Sequence, residues 1–526
     1  MQQPTASLTL PQLVRAAAER FGDRSAIEDG DVRLSFSELF DLGLRATRAF
    51  CAAGVRRGDR VAIWAPNIWE WIAAAIGIHA SGAVLVTLNT RLKGAEAAYQ
   101  LRKSGARVIC TLSDFLDTNY VELLQGHELP DLERTITLRG GSEGATSWAD
   151  FLEMGDSYSA DEARTRGESV SADDFADIIF TSGTTGNPKG VMSTHGQNLR
   201  AFAAWTEVVG LREGDRYLIS SPFFHSMGYK AGWMSCLIRG ATALPHAVFD
   251  VPAIFRRVAA ERISVLVGPP SIYQSFLVHP DLATSDLGSL RLAVTGAAPT
   301  PVELIHRMRQ ELGFDTIITG YGLTEASGIA TMCRFDDDPE TIATTSGRAI
   351  PDVEVRCIDA DGKEVPRGEP GEVVVRGYNV MRGYFDDEVE TAKAIDAEGW
   401  LHTGDIAVMD ERGYVRITDR IKDMFIMGGF NCYPAEIENQ LFSSGFCAQV
   451  AVIGVPDQRM GEVGMAFVVP APGRNLSPEE VISWCRENMA NYKVPRFVEI
   501  VGELPTNASG KVTKFVLRER ARRAGG

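Results

Sequence analysis

What this sequence lacks narrows it first. It has no excess of positive charge: the formal net charge of its 526 residues is −16. That argues against a general nucleic-acid binder, which needs basic surface. The same field opposes any anionic substrate, so one would have to be held locally by N–H groups and cations. The eight cysteines (51, 110, 236, 333, 357, 432, 447 and 485) include no Cys-x-x-Cys pair. Scattered, several of them beside apolar residues, they read as reduced thiols and not as a disulfide or metal framework. No basic segment followed by an apolar core stands at the N-terminus, and no peroxisomal address or lipidation cysteine at the C-terminus. The expectation is a cytoplasmic protein. Long apolar runs are scarce too. Trp71 to Leu88 comes nearest to a membrane span, but Gly82 cuts it. A buried helix followed by a core strand at Val84-Leu85-Val86 fits better.

Also missing is the phosphate loop of ATPases, which sets Gly immediately before Lys and Ser or Thr after it. In its place stands Phe180 to Gly190, Phe-Thr-Ser-Gly-Thr-Thr-Gly-Asn-Pro-Lys-Gly. Gly183, Gly186 and Gly190 let main-chain N–H groups approach an anion closely. Thr181, Ser182, Thr184 and Thr185 add hydroxyl donors, and Lys189 adds a positive charge. Pro188 and Gly190 flank that lysine, Val191-Met192-Ser193 reads as extended, and a helix is expected only from about Gly196. Most Gly/Ser/Thr loops are plain surface turns, but this density of donors suits a polyphosphate.

The length requires at least two domains. To about residue 175, helical and extended signals alternate, as for a mostly parallel sheet covered by helices. Ser35 with Glu38 three residues on forms a capping box. Between 263 and 320, three strands end in small or polar clusters: Gly268-Pro269-Pro270, Gly296-Ala297-Ala298-Pro299, and Gly320-Tyr321-Gly322-Leu323-Thr324-Glu325. Ligands of open α/β sheets bind just beyond such strand ends. Tyr321 is free there to stack on a flat ring, while Thr324 and Glu325 can reach phosphate and Mg2+. From about 345 to 418 the period changes to two, which implies a β-rich subdomain. Trp400-Leu401-His402-Thr403-Gly404-Asp405 places an acidic residue in an expected turn. The charged run Asp419-Arg420-Ile421-Lys422-Asp423 makes a natural boundary. Upstream, Phe223-Phe224-His225-Ser226-Met227-Gly228 suits an apolar pocket wall. Lys230 stands in uncharged surroundings, as a lysine snorkelling to solvent or as one turned inward toward a distal keto or carboxylate group.

In order along the chain, Thr181–Gly190, Gly320–Glu325, Trp400–Asp405, Asp419–Asp423 and Pro505–Lys511 closely resemble the signature motifs of the adenylate-forming superfamily. The resemblance spans about residues 10 to 515. It implies an α/β fold: a large N-terminal domain of two α/β subdomains plus a β-rich subdomain (1–419), and a small mobile α+β C-terminal domain (420–526) hinged near Lys422. By the resemblance, Thr181, Ser182, Gly183, Thr184, Thr185, Gly186 and Lys189 hold the ATP phosphates, and Thr184 and Glu325 ligate Mg2+. Gly296, Ala297, Ala298, Pro299 and Tyr321 flank adenine, and Gly320 and Gly322 belong to the same nucleotide site. Thr324 touches the α-phosphate, Asp405 and Arg420 bind ribose, and Lys511 bridges the substrate carboxylate and the α-phosphate. Gly428, Gly429 and Asn431 form the coenzyme A hairpin. His225, Met227, Gly228, Tyr229, Lys230, Gly320, Ala326 and Ser327 shape the acyl pocket.

The branch implied is an acyl-CoA synthetase using ATP, Mg2+ and coenzyme A. The runner-up is a stand-alone adenylating enzyme that loads a separate carrier protein. Amino-acid activators carry Phe-Asp-x-Ser where Phe224-His225-Ser226 stands here, and no carrier domain follows Lys511. A luciferase-like oxygenase and a non-catalytic relative are further alternatives, the latter disfavoured by the presence of both Lys511 and Glu325. Expected partners are a carboxylic acid, ATP and coenzyme A, with no nucleic acid and no transmembrane segment; a homodimer is compatible with the sequence. The acid can be medium-chain, aryl, or an alicyclic propanoic acid derived from degraded sterol rings, the last because residues 222–232 resemble actinobacterial synthetases for such acids.

Overall fold

The computed structural model describes residues 9–181, 188–296, 300–420, 423–427, 430–457, 460–489, 491–506 and 512–524. The chain divides into two units, residues 1–355 with 375–401 and residues 356–374 with 402–526. The α/β architecture and the pairing of a large unit with a small one are as the sequence implied.

The large unit holds two mostly parallel sheets. In the nine-stranded one, Arg216–Ile219, Val265–Val267, Leu292–Gly296 and Thr316–Tyr321 lie side by side and parallel. Short antiparallel strands close it at both ends, Thr331–Met332 and Arg348–Ala349 on one side and Val32–Ser35 on the other. The eight-stranded sheet runs Gly383–Tyr384, Lys189–Thr194, Phe175–Thr181, Val84–Thr87, Arg60–Ile63, Ala106–Leu112, Arg134–Arg139, Thr146–Ser147. Its central strands are apolar on both faces, and Val84–Thr87 is buried throughout. That is the pattern of a parallel sheet covered on both sides.

Local chemistry explains the elements around these sheets. Ser35 accepts from the Glu38 amide at 3.1 Å, and Glu38 accepts from the Ser35 amide at 2.8 Å, which starts the helix Phe36–Ala52. Helix Trp69–Ala80 is buried from Glu70 to His79, as befits a helix apolar on nearly all faces. At Gly77 an added Cβ would sit 2.6 Å from the Ala46 methyl, so glycine lets two helices meet closely there. Gly82, at φ +76°, then turns the chain into Val84–Thr87. The apolar run from Trp71 is therefore core, and among the described residues no helix is long and apolar enough to cross a membrane.

The small unit contains most of a four-stranded sheet in the order Val353–Ile358, Pro370–Gly377, Leu401–Met409, Val415–Arg420. It also contains a sheet in which Gly461–Pro470 pairs antiparallel with Cys447–Asp457 and parallel with Phe497–Ile500. Helices Pro434–Ser443 and Pro478–Asn488 contribute Ile437, Leu441, Val481 and Cys485 to a core with Phe425, Val452 and Val468. One expectation is corrected. Asp405 does not lie in a turn but in the strand Leu401–Met409, paired with Arg420 across the ladder. Gly404 at φ +69° and a register shift beside Ile406 give the local sequence its turn-like look.

Candidate active site

Strands Phe175–Thr181 and Lys189–Thr194 are antiparallel, with Phe180 opposite Gly190 and Thr181 opposite Lys189. The glycine-rich loop thus joins two strands of a hairpin, whereas an ATPase loop leads into a helix. The helix waits until His195–Val209, where Thr194 and Gln197 form the capping box. Ser182, Gly183, Thr184, Thr185 and Gly186 lie outside the described residues, but both arms are fixed. Thr181 Oγ1 lies 3.5 Å from the Lys189 carbonyl. Lys189 is partly buried, its ammonium ion-paired with Glu390 and 4.7 Å from the centre of the Tyr384 ring.

The second wall is where Leu292–Gly296 and Thr316–Tyr321 end together. Gly296 pairs with Gly320, and a Cβ on Gly296 would come within 2.8 Å of the Gly320 carbonyl. On Gly320 it would lie 2.9 Å from the Thr331 carbonyl, and on Gly322 2.3 Å from the Gly328 carbonyl. These glycines are demanded by crowded backbone on the protein side. Ala297, Ala298 and Pro299 lie outside the described residues. Tyr321 is partly accessible at the strand end. Thr324–Ala326 then forms a single tight turn, followed by Ser327 in the left-handed region at φ 56°.

A segment that the sequence reading missed holds this turn. The Asn379 side-chain amide donates to the Ile329 carbonyl at 2.8 Å, and the Asn379 main-chain carbonyl accepts from Ser327 Oγ at 2.8 Å. The Met381 amide donates to the Glu325 carbonyl at 2.8 Å, the Arg382 amide to Met192 at 3.0 Å and the Phe385 amide to Gly190 at 2.7 Å. The Tyr384 hydroxyl donates to Glu325 Oε1 at 3.0 Å. Burial, and then the Glu325 carboxylate itself, push the Tyr384 phenol up, so it keeps its proton and remains a donor. A short Gly-Tyr strand and the helix Glu388–Ala394 therefore organise both Glu325 and Lys189. No spacing rule could have found them, since Tyr384 lies 59 residues from Glu325 in sequence.

The expected acyl-pocket residues separate into two groups. His225 is accessible, and desolvation of its ring lowers its pKa. Met227 is partly exposed, and Ser226 is buried with no hydrogen-bond partner for its hydroxyl among the described residues. Gly228 has no room for a side chain, because a Cβ would sit 2.2 Å from the Pro222 carbonyl. Ala326 and Ser327 are fully buried. Tyr229 and Lys230 are buried as well and face inward partners. Tyr229 stacks between His79 and Trp233, its hydroxyl 2.9 Å from His79 Nε2.

Lys230 does not snorkel to solvent. Its ammonium lies 3.1 Å from Asp177 and donates to Ser193 Oγ at 3.2 Å, and both Lys230 and Asp177 are 0% exposed. Asn198 donates to the other Asp177 oxygen at 2.6 Å. Burial drives the neighbouring imidazoles to the neutral form, His79 well below its ordinary value and His195 down to about 4. The charge of Lys230 is therefore already matched inside the protein.

In the small unit, Asp405 is 4% exposed. Its amide donates to Thr403 Oγ1 at 3.1 Å, and Thr403 donates to the Val373 carbonyl at 2.7 Å. Glu372 accepts from the Gly404 amide at 3.1 Å and lies 3.1 Å from His402 Nδ1. The backbone of Asn431 pairs with Ile426 in the hairpin of Phe425–Met427 and Phe430–Cys432. Lys422, Gly428, Gly429 and Lys511 lie outside the described residues.

The profile of the family described as "AMP-binding enzyme" matches residues 14–385, and that of "AMP-binding enzyme C-terminal domain" matches residues 436–511. The chain belongs to the AMP-binding enzyme family. It is 50% identical over 524 residues to the 7a-methyl-1,5-dioxo-octahydro-1H-inden-4-yl propanoyl:CoA ligase of Rhodococcus jostii, covering 98% of this chain and 99% of that one. The ligase of the same name from Mycobacterium tuberculosis is 47% identical, covering 97% and 98%. Among solved structures, an anthranilate CoA ligase in complex with anthranoyl-AMP superposes with a TM-score of 0.89 at 28% identity, covering 99% of this chain and 98% of that one. The o-succinylbenzoate CoA synthetase of Bacillus subtilis in complex with its acyl-adenylate gives 0.80 at 28%, covering 97% and 98%.

Proposed function

We propose that this ATP-dependent, AMP-forming acyl-CoA ligase takes a bicyclic propanoic acid with ring ketones. The observation that carries the choice of acid is the 50% identity, along nearly the full length of both chains, to the Rhodococcus jostii ligase for a methyl-dioxo-octahydroindenyl propanoate. The Lys230–Asp177 pair supports it. With that ammonium matched at 3.1 Å, Lys230 is not a spare cation for a distal carboxylate, and a neutral ring system with carbonyl groups suits it better.

The chemistry explains the division of labour. A carboxylate is a poor electrophile, so its oxygen attacks the α-phosphorus of ATP and displaces pyrophosphate to give an acyl-adenylate. The thiol of coenzyme A then attacks the acyl carbon and displaces AMP. Two anions must meet in the first step, so fixed donors and cations stabilise its transition state most. On this reading Lys189 and the hydroxyls of the hairpin loop grip the leaving pyrophosphate, Thr324 holds the α-phosphate and Tyr321 flanks adenine. Asp405 and Arg420 take the ribose, and Lys511 bridges the carboxylate and α-phosphate. Gly428 and Gly429 accommodate the thiol arm, with Lys422 as the hinge.

A Mg2+ ion fits Glu325. One carboxylate oxygen is held by Tyr384, and among the described residues the other has no partner. No group of three or more His, Cys, Asp or Glu side chains able to hold a metal occurs among the described residues. Such an ion would supply neutralisation of the triphosphate charge.

The test of substrate is a panel of acids assayed for coenzyme A-dependent AMP release. The dioxo-octahydroindenyl propanoate should give the highest kcat/KM; a straight medium-chain or aryl acid ahead of it would overturn the choice. The role of Lys511 is tested by Lys511→Ala, which should abolish adenylate formation but leave thioester formation from supplied acyl-adenylate largely intact. Equal loss of both half-reactions would remove Lys511 from its assigned place.

A further inference from the structure

One aromatic side chain stands between the two groups expected to handle the metal–triphosphate. The Tyr384 hydroxyl binds Glu325 Oε1 at 3.0 Å, and the Lys189 ammonium lies 4.7 Å from the centre of the same ring. Tyr384 is 9% exposed and is itself fixed. Its amide donates to Thr391 Oγ1 at 2.9 Å, and Thr391 donates to the Asp387 carbonyl at 2.8 Å. The Lys189 ammonium is meanwhile taken by Glu390, one turn along the helix that Asp387 caps. Lys393 also pairs with Glu390 at 2.6 Å. These cations hold the Glu390 carboxyl down to about 2, so it is charged at every physiological pH.

We propose that Tyr384 is a positioning residue that orients Glu325 toward the metal and keeps it apart from Lys189, while Glu390 occupies the Lys189 ammonium until the triphosphate displaces it. A cation on an aromatic face and a carboxylate at the phenol hydroxyl are both favourable. The ring therefore separates two opposite charges that would neutralise one another if they met. Glu390 takes the ammonium on the accessible side, where an incoming phosphate can exchange with it. The proposal rests on the reading of Lys189 and Glu325 as nucleotide-handling groups.

Calorimetric titration of the full chain with ATP separates the two ideas, using excess Mg2+ in one series and EDTA in the other. Wild-type protein that binds ATP in neither series would defeat the underlying reading. Given wild-type binding, Tyr384→Phe keeps the ring and removes the hydroxyl. It should weaken binding in Mg2+ roughly 5–10-fold, less than the roughly 10–100-fold of a direct hydrogen bond to a charged group because Tyr384 acts through Glu325, and leave binding in EDTA unchanged. Loss of equal size in both series, or in neither, would overturn the positioning role. Glu390→Gln should tighten ATP in both series by a factor of about 2–5, the scale of an exposed ion pair. Unchanged or weaker binding would show that Glu390 does not compete with phosphate. The Glu390→Gln arm stands even if Tyr384→Phe fails to fold.

Discussion

Two lysines in the large unit, 41 positions apart, each meet a carboxylate in opposite surroundings. Lys230 and Asp177 are 0% exposed and share their surroundings with Ser193, Asn198 and two neutral imidazoles. Lys189 and Glu390 are 29% and 30% exposed, and the same ammonium rests over the Tyr384 ring. A sealed pair is fixed, because separating it leaves a bare charge in low dielectric. A half-exposed pair exchanges, because water and incoming anions can replace either partner at little cost. Burial, and not the presence of a partner, distinguishes a lysine fixed in the fold from one whose partner can be exchanged.

The comparison breaks most visibly at Lys230. Lys230→Met leaves Asp177 charged and buried and should cost about 3–5 kcal/mol of unfolding free energy, read from denaturant curves. Adding Asp177→Asn should restore much of it; a loss below about 1 kcal/mol in the single variant would mean the pair is not sealed. Lys189→Met should do the reverse. Binding of Mg·ATP weakens roughly 10–100-fold, the scale of a hydrogen bond to a charged group, while unfolding free energy stays within about 0.5 kcal/mol. A stability loss at Lys189 that matched Lys230 would erase the distinction.

A smaller effect sharpens the buried side. His195 is held near 4 and His79 is lowered as well, both first by burial. The unfolded chain, with ordinary imidazoles, binds more protons below about pH 6.5. Folding stability is therefore full above about pH 6.5 and falls as the pH drops toward 4, by up to about 1.4 kcal/mol per pH unit for each imidazole. Denaturant curves at pH 7 and pH 5 should differ accordingly, and His195→Gln should make the slope shallower. A stability independent of pH over that range would place these rings in water.

What the sequence disclosed, and what it withheld, follows the same line. Features set by neighbours in the chain were readable: the Ser35–Glu38 capping box, the turn at Gly82, the strand after Lys189, and the paired small-residue ends at Gly296 and Gly320. The Trp71–Leu88 stretch was separable from a membrane span because one glycine changed its composition midway. Contacts between distant segments left no local trace. Lys230 finds Asp177 across 53 positions, and Tyr384 finds Glu325 across 59. In both cases residue type was visible and the partner was not. Asp405 was misread as a turn residue because Gly404 and a ladder irregularity imitate turn chemistry inside a strand.

The most direct test of the central claim withholds coenzyme A. With ATP, Mg2+ and the proposed acid, the dioxo-octahydroindenyl propanoate, the enzyme should release about one pyrophosphate per active site and stop at bound acyl-adenylate. Adding coenzyme A should restart turnover, with AMP and acyl-CoA formed in equal amounts. Release of ADP and phosphate, or pyrophosphate that appears only together with coenzyme A, would contradict activation through an acyl-adenylate.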